Sequence, residues 1–192
     1  MNIALKEWSA VIAALDRGMQ IFLLRKGGIV EARRGFEPRH AEFLLFPTFE
    51  HQHARYLKPE YADLMDEGAP SETRVRITHF ARAIDVLRAP PSAAVLVRCH
   101  VWNEEFLRQR YDYRPDLPLF LLVVRAYRLA QPYDIPLRPS YAGCKSWVPL
   151  NEDVPTAAGE PVLSDVEFAE RRRDLVARLP SECLKGGKQA AE

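Results

Sequence analysis

A carboxylate and two histidines follow an apolar segment in the first third of the chain. Residues 42–53 read EFLLFPTFEHQH, so the apolar run ends at Glu50, His51 and His53. In an extended segment, residues two positions apart point to the same side, which brings the two imidazoles together. Two imidazoles and a carboxylate are a ligand set that divalent transition metals accept. The pattern predicts a metal site made by His51, His53 and Glu42, with Glu50 and His51 as the catalytic groups of a metal-dependent hydrolase such as a nuclease.

The same residues also suit a purely structural role. No HExxH-type spacing fixes a metal site here, so Glu50 to His53 could equally form the polar end of a strand. Pro47 has no backbone N–H to donate, which places this segment at the edge or at a bend of a sheet rather than in its centre.

Cys144 is a second candidate for chemistry. A cysteine beside a lysine can have its thiolate stabilised, and His51 or His100 would supply the general base. The alternative is the common role of a free cysteine, a small buried hydrophobic residue. The chain has 3 cysteines and no CxxC pair, which argues against a disulfide framework and against a structural zinc site.

Basic and aromatic residues offer a binding surface. Glycines in the segment 26–39 would let a ligand approach the backbone closely, and guanidinium groups match the geometry of phosphate. Aromatic side chains elsewhere could stack on bases. The predicted ligand-binding residues are Lys26, Arg33, Arg34, Trp102, Arg108, Arg110 and Trp147. The alternative is a solvated loop in which glutamates offset the arginines, with Trp102 in the core.

Length and charge narrow the class of protein. The chain has 192 residues and a net charge of +1, so only a local patch could attract nucleic acid. The longest apolar run, PLFLLVV, is far shorter than the roughly 20 residues of a membrane-spanning helix, and the first residues lack the features of a signal peptide. We expect a cytoplasmic protein without membrane contacts.

Two functions remain open at this point. The first is a binding module for nucleic acid or a phosphorylated small molecule. The second is the hydrolase described above, with a divalent metal as its cofactor. Binding ranks first because no complete catalytic set can be named from the sequence.

The pattern of apolar residues predicts an α+β fold. About six strands and about three helices occur without strict βαβ alternation, which indicates a curved mixed sheet or a partly closed barrel. We expect a single domain over residues 1–180 and a disordered tail over 181–192. The strongest strand signal, PLFLLVVRAYRL, is almost continuously apolar and therefore central. Asn103 is a predicted helix N-cap, and Ser164 with Glu167 forms a predicted capping box.

Three segments allow more than one structure. Residues 9–15 and 21–24 flank a short turn with Gly18, which favours a β-hairpin, although the spacing of the apolar residues in the first run also suits a helix. Residues 80–87 either continue the strand predicted over 74–79 or become helical. Residues 94–102 are rich in valine and favour a strand.

Several stretches together resemble a known family. ALKEW (4–8), LLRKGGI (23–29), EFLLFPTFEHQ (42–52), CHVW (99–102) and GCKSWVPL (143–150) are similar to sequences of the domain-of-unknown-function family 1802. The resemblance spans nearly the whole chain to about residue 150. It implies a bacterial, soluble, single-domain protein and carries no particular activity, cofactor or catalytic residue with it.

Overall fold

A mixed β-sheet organises the protein, whose computed structural model describes residues 1–26, 40–50, 52–66, 71–96 and 99–184. In these residues the strands are β1 Ile3–Trp8, β2 Phe22–Lys26, β3 Glu42–Thr48, β4 Arg74–Arg88, β5 Leu119–Pro136, β6 Trp147–Pro149 and β7 Glu160–Pro161. The helices are α1 Ser9–Asp16, α2 Glu104–Asp112, α3 Asp165–Arg178 and the single turn α4 Ser181–Leu184. Short 3₁₀ helices cover Ala54–Tyr56, Pro59–Asp66, Ala93–Leu96 and Pro139–Tyr141.

The strand order confirms the predicted α+β fold with a curled mixed sheet. The order is β2-β5-β4-β3-β1-β6, and the short β7 pairs with β5. β1 and β3 pair in parallel, while the other pairs are antiparallel. β5, the strongest strand in the sequence, has neighbours on both sides as its apolarity predicted. None of the helices in the described residues combines the length and the apolarity needed to cross a membrane.

β4 and β5 are long strands that bend at breaks in their pairing. Ile77 pairs with Tyr133, but the next paired residue, His79, lies opposite Arg128, so the register shifts at this point. Beyond the shift, Arg74–Ile77 and Tyr133–Pro136 form a two-stranded extension that we call the outer arm. Irregular pairing of this kind bends a strand and re-aims its side chains. Residues 80–87 therefore continue as a bent strand, which was one of the two predicted alternatives.

The outer arm leaves part of β3 without a second neighbour. β3 pairs with β4 only from Glu42 to Leu44, whereas its pairing with β1 continues as far as Thr48. Pro47 falls in the stretch that has one neighbour, as its missing N–H predicted. The sheet is consequently open beside the end of β3.

Both faces of the sheet are covered by apolar side chains. Leu5 and Leu45 belong to one core cluster, whereas Ala4 and Leu44, their neighbours along the same strands, belong to another. Alternation along a strand sends successive side chains to opposite faces, so the two clusters lie on the two sides of the sheet.

The predicted hairpin at residues 9–24 is wrong, because the first run is the helix α1. Seven of its eight residues, Ser9 to Leu15, are buried, and β2 pairs with β5 instead of with this segment. Alanine has the highest helix propensity, and its small side chain allows a helix to be buried on all sides, although a helix this short needs tertiary packing to be stable. Tertiary contacts that bury this segment therefore favour the helix over the hairpin, although the sequence pattern supported both structures almost equally.

Other local predictions have mixed outcomes. The cap at Asn103 is confirmed, since its Oδ1 accepts a hydrogen bond of 3.0 Å from the backbone N–H of Phe106, and the capping box of Ser164 is also present. The strand expected over 94–102 is wrong for the described residues, which contain a 3₁₀ turn and an isolated bridge. Ser181–Leu184, expected to belong to a disordered tail, are helical with Cys183 buried, and the rest of the predicted tail lies outside the described residues.

Candidate functional site

A cleft of about 970 Å³ opens where the sheet is uncovered beside β3. Its walls are one face of α1, the segment 46–50 at the end of β3, the outer arm with its approach at residues 71–72, and the segment 137–142. Ligand pockets in proteins typically measure roughly 300 to 1,000 Å³. We call this space the α1 cleft, and it is large enough for a small organic molecule.

α1 presents one face to the cleft. Ser9, Ile12, Ala13 and Asp16 line it, with the spacing of three and four that places residues on one side of a helix. The first turn is held by the buried Gln52, whose Oε1 accepts a hydrogen bond of 3.0 Å from the backbone N–H of Ala10. The amide of Gln52 also donates to the hydroxyl of Ser9 over 3.0 Å. A residue 42 positions away therefore fixes the helix that forms this wall.

Asp16, His79 and Thr78 form a hydrogen-bonded chain in the cleft. Nε2 of His79 lies 2.8 Å from Oδ1 of Asp16, and Nδ1 of His79 lies 2.7 Å from the hydroxyl oxygen of Thr78. All three residues line the cleft, although the side chain of His79 is buried. We call this arrangement the Thr78–His79–Asp16 chain.

The partners of Asp16 determine how protons are arranged in this chain. Burial alone would raise the pKa of Asp16, but the hydrogen bonds and charges of His79 and Arg128 together lower it. An ionised Asp16 can only accept, so Nε2 of His79 carries the hydrogen that it donates. In the tautomer with its hydrogen on Nε2, Nδ1 of His79 is an acceptor for the Thr78 hydroxyl.

Lys6 supplies a cation on another wall. Its ammonium donates a hydrogen bond of 3.0 Å to the backbone oxygen of Gly143 and lies 5.9 Å from the centre of the Phe46 ring. Burial lowers the pKa of Lys6, and the negative charge of Glu50 opposes this only in part. Among the residues that the structure describes, no carboxylate forms an ion pair with Lys6.

Two arginines at the rim of the cleft are paired with carboxylates, whereas Glu50 and Glu72 also line the cleft without an ion pair among the described residues. Arg76 lies 3.3 Å from a carboxylate oxygen of Asp134, and Arg138 lies 2.8 Å from Glu152. Between them the wall is apolar, and Leu137 is 42% exposed. The cleft thus combines an apolar surface, charged groups and the Thr78–His79–Asp16 chain.

The structure does not bring the predicted metal ligands together among the residues it describes. Glu42 begins β3 and pairs with Arg82, whereas the predicted catalytic Glu50 and the predicted ligand His53 follow the other end of the strand. The two ends of this 7-residue strand are roughly 20 Å apart at about 3.3 Å per residue. His53 is exposed and packs its ring against Tyr56. His51 lies outside the described residues. No group of three or more metal-binding side chains occurs within the described ranges.

The predicted ligand-binding residues are also dispersed in structural roles. Lys26 is buried, and its ammonium donates to the backbone oxygens of Arg110 and Tyr111 at the end of α2, where a cation suits the helix dipole. Burial and the nearby Arg25 lower the pKa of Arg110, while Arg108 is exposed.

Of the two predicted stacking residues, Trp102 is buried in the core and Trp147 is half-buried. Trp102 is 2% exposed and contacts Phe22 and Phe106, so its core alternative is correct. Trp147 is half-buried against His40 and Phe43. Arg33 and Arg34 lie outside the described residues.

Cys144 is exposed in the loop beside Lys6. Its predicted base His100 cannot serve it, because the imidazole is buried between Phe22 and Trp102. The other proposed base, His51, falls outside the described part of the chain.

Sequence reasoning missed the residues that the cleft assembles: Lys6, Asp16, Thr78 and His79. The sequence contains weak indications for two of them. A helix over 9–16 would have aligned Asp16 with Ser9, and the alternating strand 74–79 already ended in a histidine. The register shift that places Thr78 and His79 together at the cleft cannot be predicted from any local sequence pattern.

The fold and the cleft define an α+β protein with a curled mixed sheet and a ligand-sized opening beside its parallel strand pair. The chain belongs to the family described as Domain of unknown function (DUF1802), which matches residues 4–174. This confirms the resemblance seen in the sequence and extends it into α3. No curated protein and no solved structure matches the chain.

Proposed function

We propose that the protein binds a small phosphorylated molecule in the α1 cleft. The observation that carries the proposal is Lys6, a partly buried ammonium without an ion-pair partner among the described residues, next to the ring of Phe46. A partly desolvated cation attracts an anion more strongly than a fully hydrated one, because water screens it less. An apolar wall beside it would hold the organic part of the ligand.

The rim of the cleft supports the same ligand class. Arg76 forms an exposed ion pair with the carboxylate of Asp134, and the exposed Arg74 donates a hydrogen bond to the backbone oxygen of Asp134. Exposed ion pairs contribute little stability, and an exposed hydrogen bond is readily exchanged. Either guanidinium could therefore exchange this contact for a phosphate, which it can bind with two parallel hydrogen bonds. Lys6 would act as the point charge and the arginines as adaptable contacts.

A nucleic-acid surface draws less support. Lys26 and Trp102, which would belong to it, are buried and already have structural contacts. The alternative of a metal-dependent hydrolase has no assembled ligand set in its favour within the described residues. The small-molecule form of the binding proposal is therefore the one we retain.

Calorimetric titration of matched pairs of compounds tests this function. Phenyl phosphate and phenol form one pair, and adenosine monophosphate and adenosine form another. We expect the phosphorylated member to bind more tightly, and Lys6→Met to weaken it roughly 10- to 100-fold, as expected for a hydrogen bond to a charged group. Lys145→Met, which removes an exposed lysine of the neighbouring loop, is the matched control. Equal affinities within both pairs, or an unchanged affinity in Lys6→Met, would contradict the proposal.

A further inference from the structure

Thr78 and His79 occupy an unusual position for adjacent strand residues. In a regular strand they would point to opposite faces of the sheet. At the register shift of β4, both residues line the α1 cleft, and a hydrogen bond of 2.7 Å joins the hydroxyl of Thr78 to the imidazole of His79. Irregular pairings often re-aim side chains next to active sites.

Asp16 can anchor the end of α1 without its hydrogen bond to His79. Arg128 already pairs with the carboxylate of Asp16 and also donates to its backbone oxygen, so β5 ties down the end of α1 without His79. His79 adds a buried imidazole between the carboxylate and a hydroxyl that faces a ligand-sized space. A hydroxyl hydrogen-bonded to an imidazole, which is in turn hydrogen-bonded to an orienting carboxylate, is the arrangement that activates a nucleophile.

We propose that Thr78, His79 and Asp16 are a catalytic triad for the hydrolysis of carboxylic esters, with Thr78 as the nucleophile. His79 is the general base, and Asp16 holds its tautomer and stabilises the imidazolium that forms. In the tautomer that donates from Nε2 to Asp16, Nδ1 of His79 accepts from the Thr78 hydroxyl 2.7 Å away, and the lone pairs of the Thr78 oxygen stay free to attack a substrate. This activity uses the same cleft as the proposed binding function but does not depend on a phosphate group in the ligand.

The reaction balances with water as the co-reactant. The Thr78 oxygen forms a bond to the ester carbonyl carbon while its proton passes to Nδ1 of His79. The bond between that carbon and the alcohol oxygen then breaks, and His79 returns the proton to the departing alcohol. Water attacks the resulting threonyl ester with His79 again as base, which releases the carboxylic acid and restores the hydroxyl.

Hydrolysis of p-nitrophenyl acetate and p-nitrophenyl butyrate by the full chain tests the triad. We expect release of p-nitrophenol by the wild type and a loss of at least about 100-fold in Thr78→Val, the order typical of removing such a catalytic group. Thr78→Ser should retain activity because it keeps the hydroxyl. Thr73→Val, an exposed threonine on the approach to β4, is the control and should match the wild type.

Two further measurements separate catalysis from a structural role. Intact-protein mass spectrometry at low pH should detect the acetyl group on the wild type, and peptide mapping should place it on Thr78. Circular dichroism must show that Thr78→Val is folded, so that its loss of activity is chemical. The proposal is overturned if the wild type is no faster than Thr78→Val, or if the acetyl group is on another residue. Because these esters carry no phosphate, this result is independent of the Lys6 titrations.

Discussion

His100 is a titratable group enclosed by apolar side chains. It is 2% exposed, with the rings of Phe22 and Trp102 at 6.5 Å and 5.6 Å from its own. Neither ring nitrogen has a hydrogen-bond partner of normal geometry among the described residues. Burial, together with the charge of Lys58, lowers the pKa of His100 from 6.5 to about 3, and the Trp102 backbone opposes this only in part.

This pKa makes the stability of the protein depend on pH in a definite direction. The unfolded chain binds a proton at residue 100 near pH 6.5, whereas the folded protein does so only near pH 3. The stability that the protein gains from keeping His100 unprotonated is therefore fully present above pH 6.5 and is lost as the pH falls towards 3. Each pH unit in this window is worth about 1.4 kcal/mol, so the loss is about 2 kcal/mol by pH 5 and about 4 kcal/mol by pH 3.

Urea unfolding of the wild type and of His100→Leu at pH 7 and pH 5 measures this effect. Other groups titrate equally in both proteins, so the difference between their pH dependences isolates His100. We expect the wild type to lose about 2 kcal/mol more than His100→Leu between the two pH values. His100→Leu should be well tolerated at pH 7, because it leaves no hydrogen bond broken. His53→Leu, which removes an exposed histidine, is the control.

The reasoning is refuted if His100→Leu and the wild type have the same dependence on pH. Such a result would mean that the imidazole is hydrated or paired in solution and titrates alike in both states. A similar change in His53→Leu would also refute it, because burial would then not be the cause.

Two stability predictions concern contacts far apart in sequence. Gln52→Leu should lower the free energy of unfolding by about 1 to 3 kcal/mol, because the buried N–H of Ala10 loses its acceptor. Thermal unfolding measures this loss, with Gln109→Leu, a change at an exposed glutamine, as the control. An unchanged midpoint of unfolding in Gln52→Leu would contradict the capping role of Gln52. Gly159→Ala should cost a similar amount, about 1 to 3 kcal/mol, because a Cβ there would lie 2.4 Å from a ring carbon of Phe80. Phe80→Leu should restore part of this loss in urea unfolding, and additive effects of the two changes would argue against the clash.

The sequence predicts those features of the fold that depend on neighbouring residues. The capping box of Ser164 and the cap of Asn103 are completed within three residues, so the pattern contains all of the partners. The apolarity of β5 similarly reports its burial. The curled mixed sheet follows from such elements together with their order along the chain.

The segment 42–53 contains both a correct prediction and a missed one. Pro47 marks an edge, and it does so because the outer arm draws β4 away from β3. The sequence pattern pointed to the histidines of this segment and not to Gln52, which is buried and holds α1 in place. A glutamine has no distinctive spacing, and its role depends on a helix that the sequence did not place beside it.

The candidate site depends first on whether residues 9–16 form a helix or one strand of a hairpin, two structures that the sequence pattern supported almost equally. As part of a hairpin turn, Asp16 would be an ordinary exposed loop residue; as the last residue of α1, it lies on the same helix face as Ser9 and faces the cleft. Its partner His79 is 63 residues away and reaches it only because the register of β4 shifts at that point. Neither condition alone forms the Thr78–His79–Asp16 chain. A site assembled by a helix end and a strand irregularity can therefore be recognised only after both elements are correctly placed, even when each of its residues is of an ordinary catalytic type.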